Sequence, residues 1–231
     1  MSTSPLPDNA TATTSPAPET FSQIVRATTA ERHSAAEHSS FMTDLMKGDL
    51  NAAAYTRLLA QYEFIYEALE TVAAEFRRAG HPLTQAFDHP GLDRLDSIRA
   101  DLRQLAGEDH ETEPLPSTAR YADRIRATVD TPERFLAHHY LRYLGDLSGG
   151  QAVAALMARH YEVPSEGLSM YRFPELPKPK VFKDQYRVLL DEAPFTQEQR
   201  DAFLEEAIAG FDLNAEVFAD LEKVTSPSAA S

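Results

Sequence analysis

The stretch His138-His139-Tyr140-Leu141-Arg142-Tyr143-Leu144-Gly145-Asp146-Leu147-Ser148-Gly149-Gly150-Gln151 sets a helical pattern against three residues that oppose it. Thr131 followed by Pro132 and Glu133 is a helix start. Phe135, Leu136, Tyr140, Tyr143, Leu144, Leu147, Val153, Leu156 and Met157 carry the apolar pattern on to about Tyr161. Gly145, Gly149 and Gly150 interrupt it, and each interior glycine costs about 1 kcal/mol relative to alanine. Something is expected to lie against that backbone. Gly145 and Gly149 are four apart on one face, where absent side chains leave a flat slot for a planar ligand or for a crossing helix. Arg142, Asp146 and Gly150 form a second row, in which Asp146 can meet Arg142 beside the slot. Ser148 adds a hydroxyl that decides nothing by itself.

Helix signals recur on both sides of this segment. Thr20 and Gln23 make a capping box ahead of a helix running to about His38. Asn51 can cap a long helix through Tyr55, Leu58, Leu59, Tyr62, Ile65, Tyr66, Leu69 and Val72, whose spacing of three and four makes one apolar stripe. Pro90 fits the first turn of another, ended by Gly107, and a shorter one spans Ser117 to Thr128. Tyr171 to Pro179 reads as a Pro-rich loop. Val181 to Leu190 reads as a helix stopping before Pro194, and Thr196 with Gln199 opens a last helix through Phe218. No strand pattern and no internal repeat emerges, so the class is all-α.

Composition narrows the function. Met1 to Pro18 and Thr225 to Ser231 are Ser, Thr, Pro and Ala runs, expected as disordered tails around one domain over residues 19–224. No segment has the roughly 20 apolar residues of a membrane helix, and no signal-type start precedes the domain, which places the protein in the cytoplasm. Without cysteine, any iron or heme must be held by His, Tyr, Met or a carboxylate. A net charge of -14 argues against nucleic acid as a partner.

Within that acidic chain, Lys178, Lys180, Lys183 and Arg187 crowd together. Lys183 and Arg187 share a helix face suited to two carboxylates, although a solvated helix start would look the same. His33 and Glu37 are also four apart, so the carboxylate can accept from one ring nitrogen while the other points at a metal. His138 and His139 compete for that role. His38, His81, His89 and His110 fall at helix ends or loops and read as solvated, and His160 suits a helix C-terminus. An axial ligand, an open slot and a cationic edge together describe what heme needs.

The segment His138 to Gln151 resembles the signature of the heme oxygenases. Thr29-Ala30-Glu31-Arg32-His33-Ser34-Ala35-Ala36-Glu37-His38-Ser39-Ser40-Phe41-Met42 is similar to that family's proximal helix, and Phe182 to Arg187 and Phe211-Asp212-Leu213-Asn214 match as well. The similarity runs from about Phe21 to Leu221. It is nearest the soluble bacterial enzymes, which lack the hydrophobic tail of the mammalian forms. The resemblance implies a single-domain helical fold with heme between a proximal helix and a glycine-kinked distal helix. It makes His33 the iron ligand, with Glu37 beside its free ring nitrogen, and leaves His138 and His139 structural. Gly145 and Gly149 become the glycines that contact heme, and Asp146 the carboxylate that orders distal water. Arg26, Tyr140, Lys183 and Arg187 become the propionate contacts, position 26 being more often Lys in relatives. Tyr66, Arg142, Phe211 and Asn214 fall where the distal pocket and its hydrogen bonds are lined. The loop Phe173 to Pro179 departs from the family, which leaves Lys178 and Lys180 unplaced.

The implied reaction cleaves heme with dioxygen to biliverdin, carbon monoxide and ferrous iron. Electrons come from a reductase or ferredoxin, the chain acts as a monomer, and iron acquisition is one use of the product. A noncatalytic heme carrier would need the same ligand, slot and cations, and only turnover separates the two. A di-iron helical enzyme would need Glu-x-x-His pairs, which this sequence lacks.

Overall fold

The computed structural model describes residues 19–176 and 178–225. The expected tails 1–18 and 226–231 lie outside them. Thr225, assigned to a tail by composition, instead closes the last helix, its hydroxyl donating to the Leu221 carbonyl at 2.7 Å.

Helix α1 (Phe21–Glu37) opens with the expected capping box, the Thr20 amide donating to Gln23 Oε1 at 2.9 Å. A short α2 (Ser40–Lys47) follows, capped by Ser39 and stopped by Gly48 at φ +89, a conformation glycine adopts freely. Asn51 caps α3 (Ala52–Ala79) by accepting from the Ala54 amide at 3.0 Å. This helix outruns the apolar stripe that predicts it and ends at Gly80 in the left-handed region. A single turn, α4 (Pro82–Gln85), comes next.

Pro90 does not open a long helix as its position suggests: it starts a 3-10 turn, Pro90–Leu92, and α5 (Leu95–Ala106) begins five residues later. The reason is tertiary. Glu70 on α3 accepts from the amides of Arg94 and Leu95 at 2.5 and 2.8 Å, capping α5 from outside its own sequence. Helices α6 (Pro116–Arg126) and α7 (Pro132–Tyr161) both start on proline, and α7 is helical throughout, glycines included. The expected loop after Tyr171 is preceded by two 3-10 turns, then leads to α8 (Pro179–Glu192) and α9 (Gln197–Thr225). No strand occurs among the described residues.

Two long helices organise the packing. α3 lies against α5, α6 and α7, while α9 lies against α1, α6 and α7. The buried stripe Tyr55, Leu58, Leu59, Ile65, Tyr66 and Leu69 of α3 is fully withdrawn from water, as are Phe203, Ala207, Val217 and Leu221 of α9. Helix α1 buries Phe21, Val25, Thr29 and Ala36, so His33 and Glu37 stay outside the core. Of the histidines expected in solvent, only His38 is exposed. His81 packs edge-on against Phe76, His89 against Phe182, and His110 lies near Glu63.

Candidate heme site

The three glycines of α7 divide into two kinds. A Cβ built on Gly145 or Gly149 would meet nothing within 4 Å, whereas one on Gly150 would strike Tyr171 Cδ1 at 2.8 Å. Gly150 is therefore the close-packed position, reinforced by Gln151 Nε2 donating to the Tyr171 carbonyl at 2.5 Å. Gly145 and Gly149 are exposed. A crossing helix would have filled that face; instead the ring of Tyr171, in the 3-10 turn Ser169–Tyr171, accounts for Gly150, and Gly145 and Gly149 are left with an open slot. Two cavities of about 80 and 170 Å³ lie beside His139 and beside Tyr186, and neither is lined by His33, Gly145 or Gly149. An open slot is not an enclosed void.

Asp146 stands between these glycines, half-buried, and Tyr66 Oη donates a hydrogen bond to its Oδ2. The contact with Arg142 that the i, i+4 spacing allows is not made within salt-bridge distance. Arg142 turns instead toward α9 and α3: its Nη1 donates to Asn214 Oδ1 at 3.0 Å, and its guanidinium lies over the rings of Tyr62 and Tyr66 at 4.3 and 4.9 Å. Arg142 Nε is buried with no partner. Burial raises the Asp146 pKa above the ordinary carboxylate value, with the charge of Arg142 and the Tyr66 hydrogen bond opposing it. Burial likewise pushes the Tyr66 phenol well up.

His33 is half-exposed, at 52%, and its Nδ1 is 3.4 Å from Glu37 Oε2. With the Nδ1 proton directed to Glu37, Nε2 carries the lone pair that a metal would take. The ring stands edge-on to Phe211 of α9, 5.8 Å between centroids. Neighbouring Arg32 pairs with Asp212 at 3.0 Å. By contrast His138 and His139 are buried and partnered, His138 Nε2 with Glu206 at 2.8 Å and His139 Nδ1 with the Tyr186 hydroxyl at 2.8 Å. Both rings are withdrawn from water, with His138 Nδ1 buried and unpartnered, whereas His33 is open to it.

A cationic edge forms where α1, α7 and α8 meet. Lys183 Nζ donates to Ser148 Oγ at 2.9 Å, so the hydroxyl that looked idle in the sequence ties α8 to the glycine segment. Tyr140 feels the charges of both Arg187 and Arg26, which oppose the upward push of burial on its phenol. Lys183 has its pKa lowered by partial burial and by the neighbouring Arg187. Arg187 pairs with Asp184 at 3.0 Å, and Asp184 also accepts from Lys180 at 2.7 Å. Two adjacent cations favour an anionic ligand.

Sequence reasoning missed Tyr62, Glu206 and Gly210. Tyr62 and Glu206 carry no local signal, because their partners Arg142, Arg124 and Arg134 are distant in sequence. Gly210, alone in a helical pattern, could have been flagged.

The sequence model of the family described as Heme oxygenase matches residues 19–220. A heme oxygenase of Takifugu rubripes is 37% identical over 209 residues, covering 88% of this chain and 75% of its own length. Heme oxygenase 2 of Synechocystis sp. is 34% identical over 209 residues, covering 87% and 83%. The crystal structure of heme oxygenase-2 from Synechocystis sp. PCC 6803 in complex with heme and NO superposes with a TM-score of 0.84. It has 33% sequence identity and covers 90% of this chain and 87% of that one.

Proposed function

The chain belongs to the heme oxygenase family, and from that membership we propose a role for each residue around the α7 slot. It is an oxidoreductase that degrades heme to biliverdin, carbon monoxide and ferrous iron. Two observations carry the site: His33 is open to solvent with Glu37 3.4 Å from its Nδ1, and glycines at 145 and 149 leave open space where side chains would stand.

Heme is the substrate, and it supplies the iron at which dioxygen is activated. His33 holds the iron through Nε2, and Glu37 keeps the ring in the required tautomer. Gly145 and Gly149 let the macrocycle lie against bare backbone, and Phe211 limits the tilt of the His33 ring. Arg26, Tyr140, Lys183 and Arg187 receive the propionates, and so choose which edge of the porphyrin faces Asp146. Burial favours the protonated Asp146 against the Tyr66 hydrogen bond and the Arg142 charge, and Asp146 passes that proton on through ordered water, for which Arg142 Nε is an unused donor. A group whose pKa is raised by burial gives up a proton more readily near neutral pH than an ordinary carboxyl, which is already ionised.

Electrons come from a reductase or ferredoxin. The chain acts as a monomer in this reading, and no described helix is long and apolar enough to cross a membrane. A cysteine-free chain gains nothing from an oxidising compartment, which supports the cytoplasm.

The test is turnover. Supplied with heme, dioxygen and a reductase system, the protein should bleach the heme spectrum and release biliverdin. His33→Ala should keep the fold and lose the axial spectrum, with added imidazole restoring part of it. A wild-type spectrum in that variant would remove His33 from the iron, and heme binding without turnover would leave a carrier.

A further inference from the structure

Helix α9 touches both walls of the slot. Toward α1, Asp212 holds Arg32 and Phe211 meets the His33 ring. Toward α7, Asn214 holds Arg142, and Gly210 lies so close that a Cβ there would stand 2.6 Å from Leu141 Cδ1 and 3.2 Å from His138 Nδ1. Both α1 and α7 pack most extensively on α9. The spacing between the two walls is therefore transmitted mainly through this helix, with α8 as a smaller second bridge.

Glu206, Gly210 and Asn214 repeat at intervals of four and form one row of α9 facing His138, Leu141 and Arg142. At the head of that row Glu206 is fully buried and holds three cationic or polar partners. It accepts from His138 Nε2 at 2.8 Å, from Arg124 Nε and Nη2 at 2.7 Å each, and from Arg134 Nη1 at 2.9 Å. Burial alone would raise its pKa, but these hydrogen bonds outweigh it and hold the carboxyl well below the usual range.

Such a cluster is a poor device for stability alone, since well-packed apolar residues of similar volume often serve as well or better. What it adds is direction. Apolar faces tolerate a small slide, whereas hydrogen bonds between a carboxylate and two guanidinium groups weaken steeply when misaligned.

We infer that Glu206 is a positioning residue for heme. By locking the register of α9 against α6 and α7, it fixes where Phe211 stands over His33 and where Asn214 holds Arg142. It thereby sets the width of the slot and the seating of the macrocycle within it. This rests on the heme site described above.

Three variants test it. Glu206→Gln keeps the shape and removes the charge. Gly210→Ala keeps the charge and puts a methyl group into the α9–α7 contact, against Leu141 Cδ1 and the buried His138 ring. Ile98→Ala lowers stability on α5, which packs on α3 and the 3-10 turns rather than on either wall. Each is compared with wild type for thermal midpoint, heme dissociation constant, ferric-heme spectrum and the isomers of the tetrapyrrole product. Glu206→Gln and Gly210→Ala should each weaken heme about tenfold, roughly 1.4 kcal/mol, and yield a second isomer. Ile98→Ala, at a comparable loss of thermal midpoint, should do neither. Lower midpoints with wild-type heme affinity and an unchanged isomer pattern in both α9 variants would overturn the inference, as would an equal isomer shift in Ile98→Ala. Should Glu206→Gln fail to fold, Arg134→Gln leaves Glu206 with Arg124 and His138 and is read in the same way. If the wild-type protein itself binds no heme, the site assignment fails rather than the role of Glu206.

Discussion

Asp146 on α7 and Glu206 on α9, packed against α7, are two carboxylates whose pKa burial pushes upward, yet they end on opposite sides of the ordinary value. Asp146 receives one hydrogen bond, from a phenol, and its i−4 neighbour Arg142 is drawn away to Asn214 and two tyrosine faces. Glu206 receives four hydrogen bonds from two guanidinium groups and an imidazole. A carboxylate that must carry a proton is left under-compensated, while one that must hold helices in place is fully compensated. The same contrast repeats in adjacent histidines. His138 faces that anion, whereas His139 has only the Tyr186 hydroxyl.

The widest separation between the two acids should appear when each is made neutral. Glu206→Gln strands Arg124 and Arg134 beside a neutral amide and should cost about 3 kcal/mol, read as a lower urea midpoint at pH 7. Asp146→Asn should do the reverse. Because the folded pKa of Asp146 lies above its unfolded value, its ionised form costs stability at neutral pH, and the amide should gain about 1 kcal/mol. Turnover should pay the difference: Asp146→Ala should bind heme like wild type yet form biliverdin about 100-fold more slowly, in favour of peroxidase-like oxidation. If Asp146→Asn instead loses stability and Asp146→Ala makes biliverdin at the wild-type rate, Asp146 is a packing partner and the contrast collapses.

A smaller effect belongs to the cationic edge, which is exposed where the Glu206 cluster is buried. Replacing both Lys183 and Arg187 by Ala should leave the thermal midpoint nearly unchanged, since exposed ion pairs contribute little. It should nevertheless loosen heme about tenfold and mix the product isomers. Heme titration decides this, and an unchanged dissociation constant with one isomer would remove the clamp.

The last effect is a slope in pH. Burial pushes His139 down to about 3 from an ordinary value of 6.5, so the folded chain keeps this ring neutral where the unfolded chain protonates it. Between pH 6.5 and 3 the unfolded state binds the extra proton, so stability falls as pH drops through that window and levels off below it. The loss is at most about 1.4 kcal/mol per unit. Glu206 acts in the same sense only below about its ordinary 4.5. Between pH 5 and 6.5 the histidine is opposed by Glu70, whose carboxyl burial raises to about 7 so that the folded chain takes up a proton there, and it is the difference in urea midpoints between His139→Gln and wild type that isolates the histidine. His139→Gln should remove the histidine's part of the slope there, and an unaltered slope would show that His139 is protonated in the fold.

Much of this was legible in the residues because it is local. The capping boxes at Thr20 and Thr196, the Asn51 cap and the proline start of α7 act within one turn, so sequence alone placed those helix ends. Helices α2 and α4 escaped notice because eight and four residues are too few to display a period. Pro90 misled because the true cap of α5, Glu70, lies on another helix.

The sequence by itself determined that three glycines interrupt a long helix, that His33 and Glu37 share a face, and that Lys183 and Arg187 share another. Spacing is a property of the chain, and a helix converts it directly into a face. Only the tertiary structure decided which glycines face open space and which one packs on Tyr171, why Arg142 leaves Asp146 for Asn214, and that Glu206 gathers Arg124, Arg134 and His138. Those outcomes depend on groups distant in sequence competing for the same hydrogen bonds and the same space, and that competition is settled only when the helices pack.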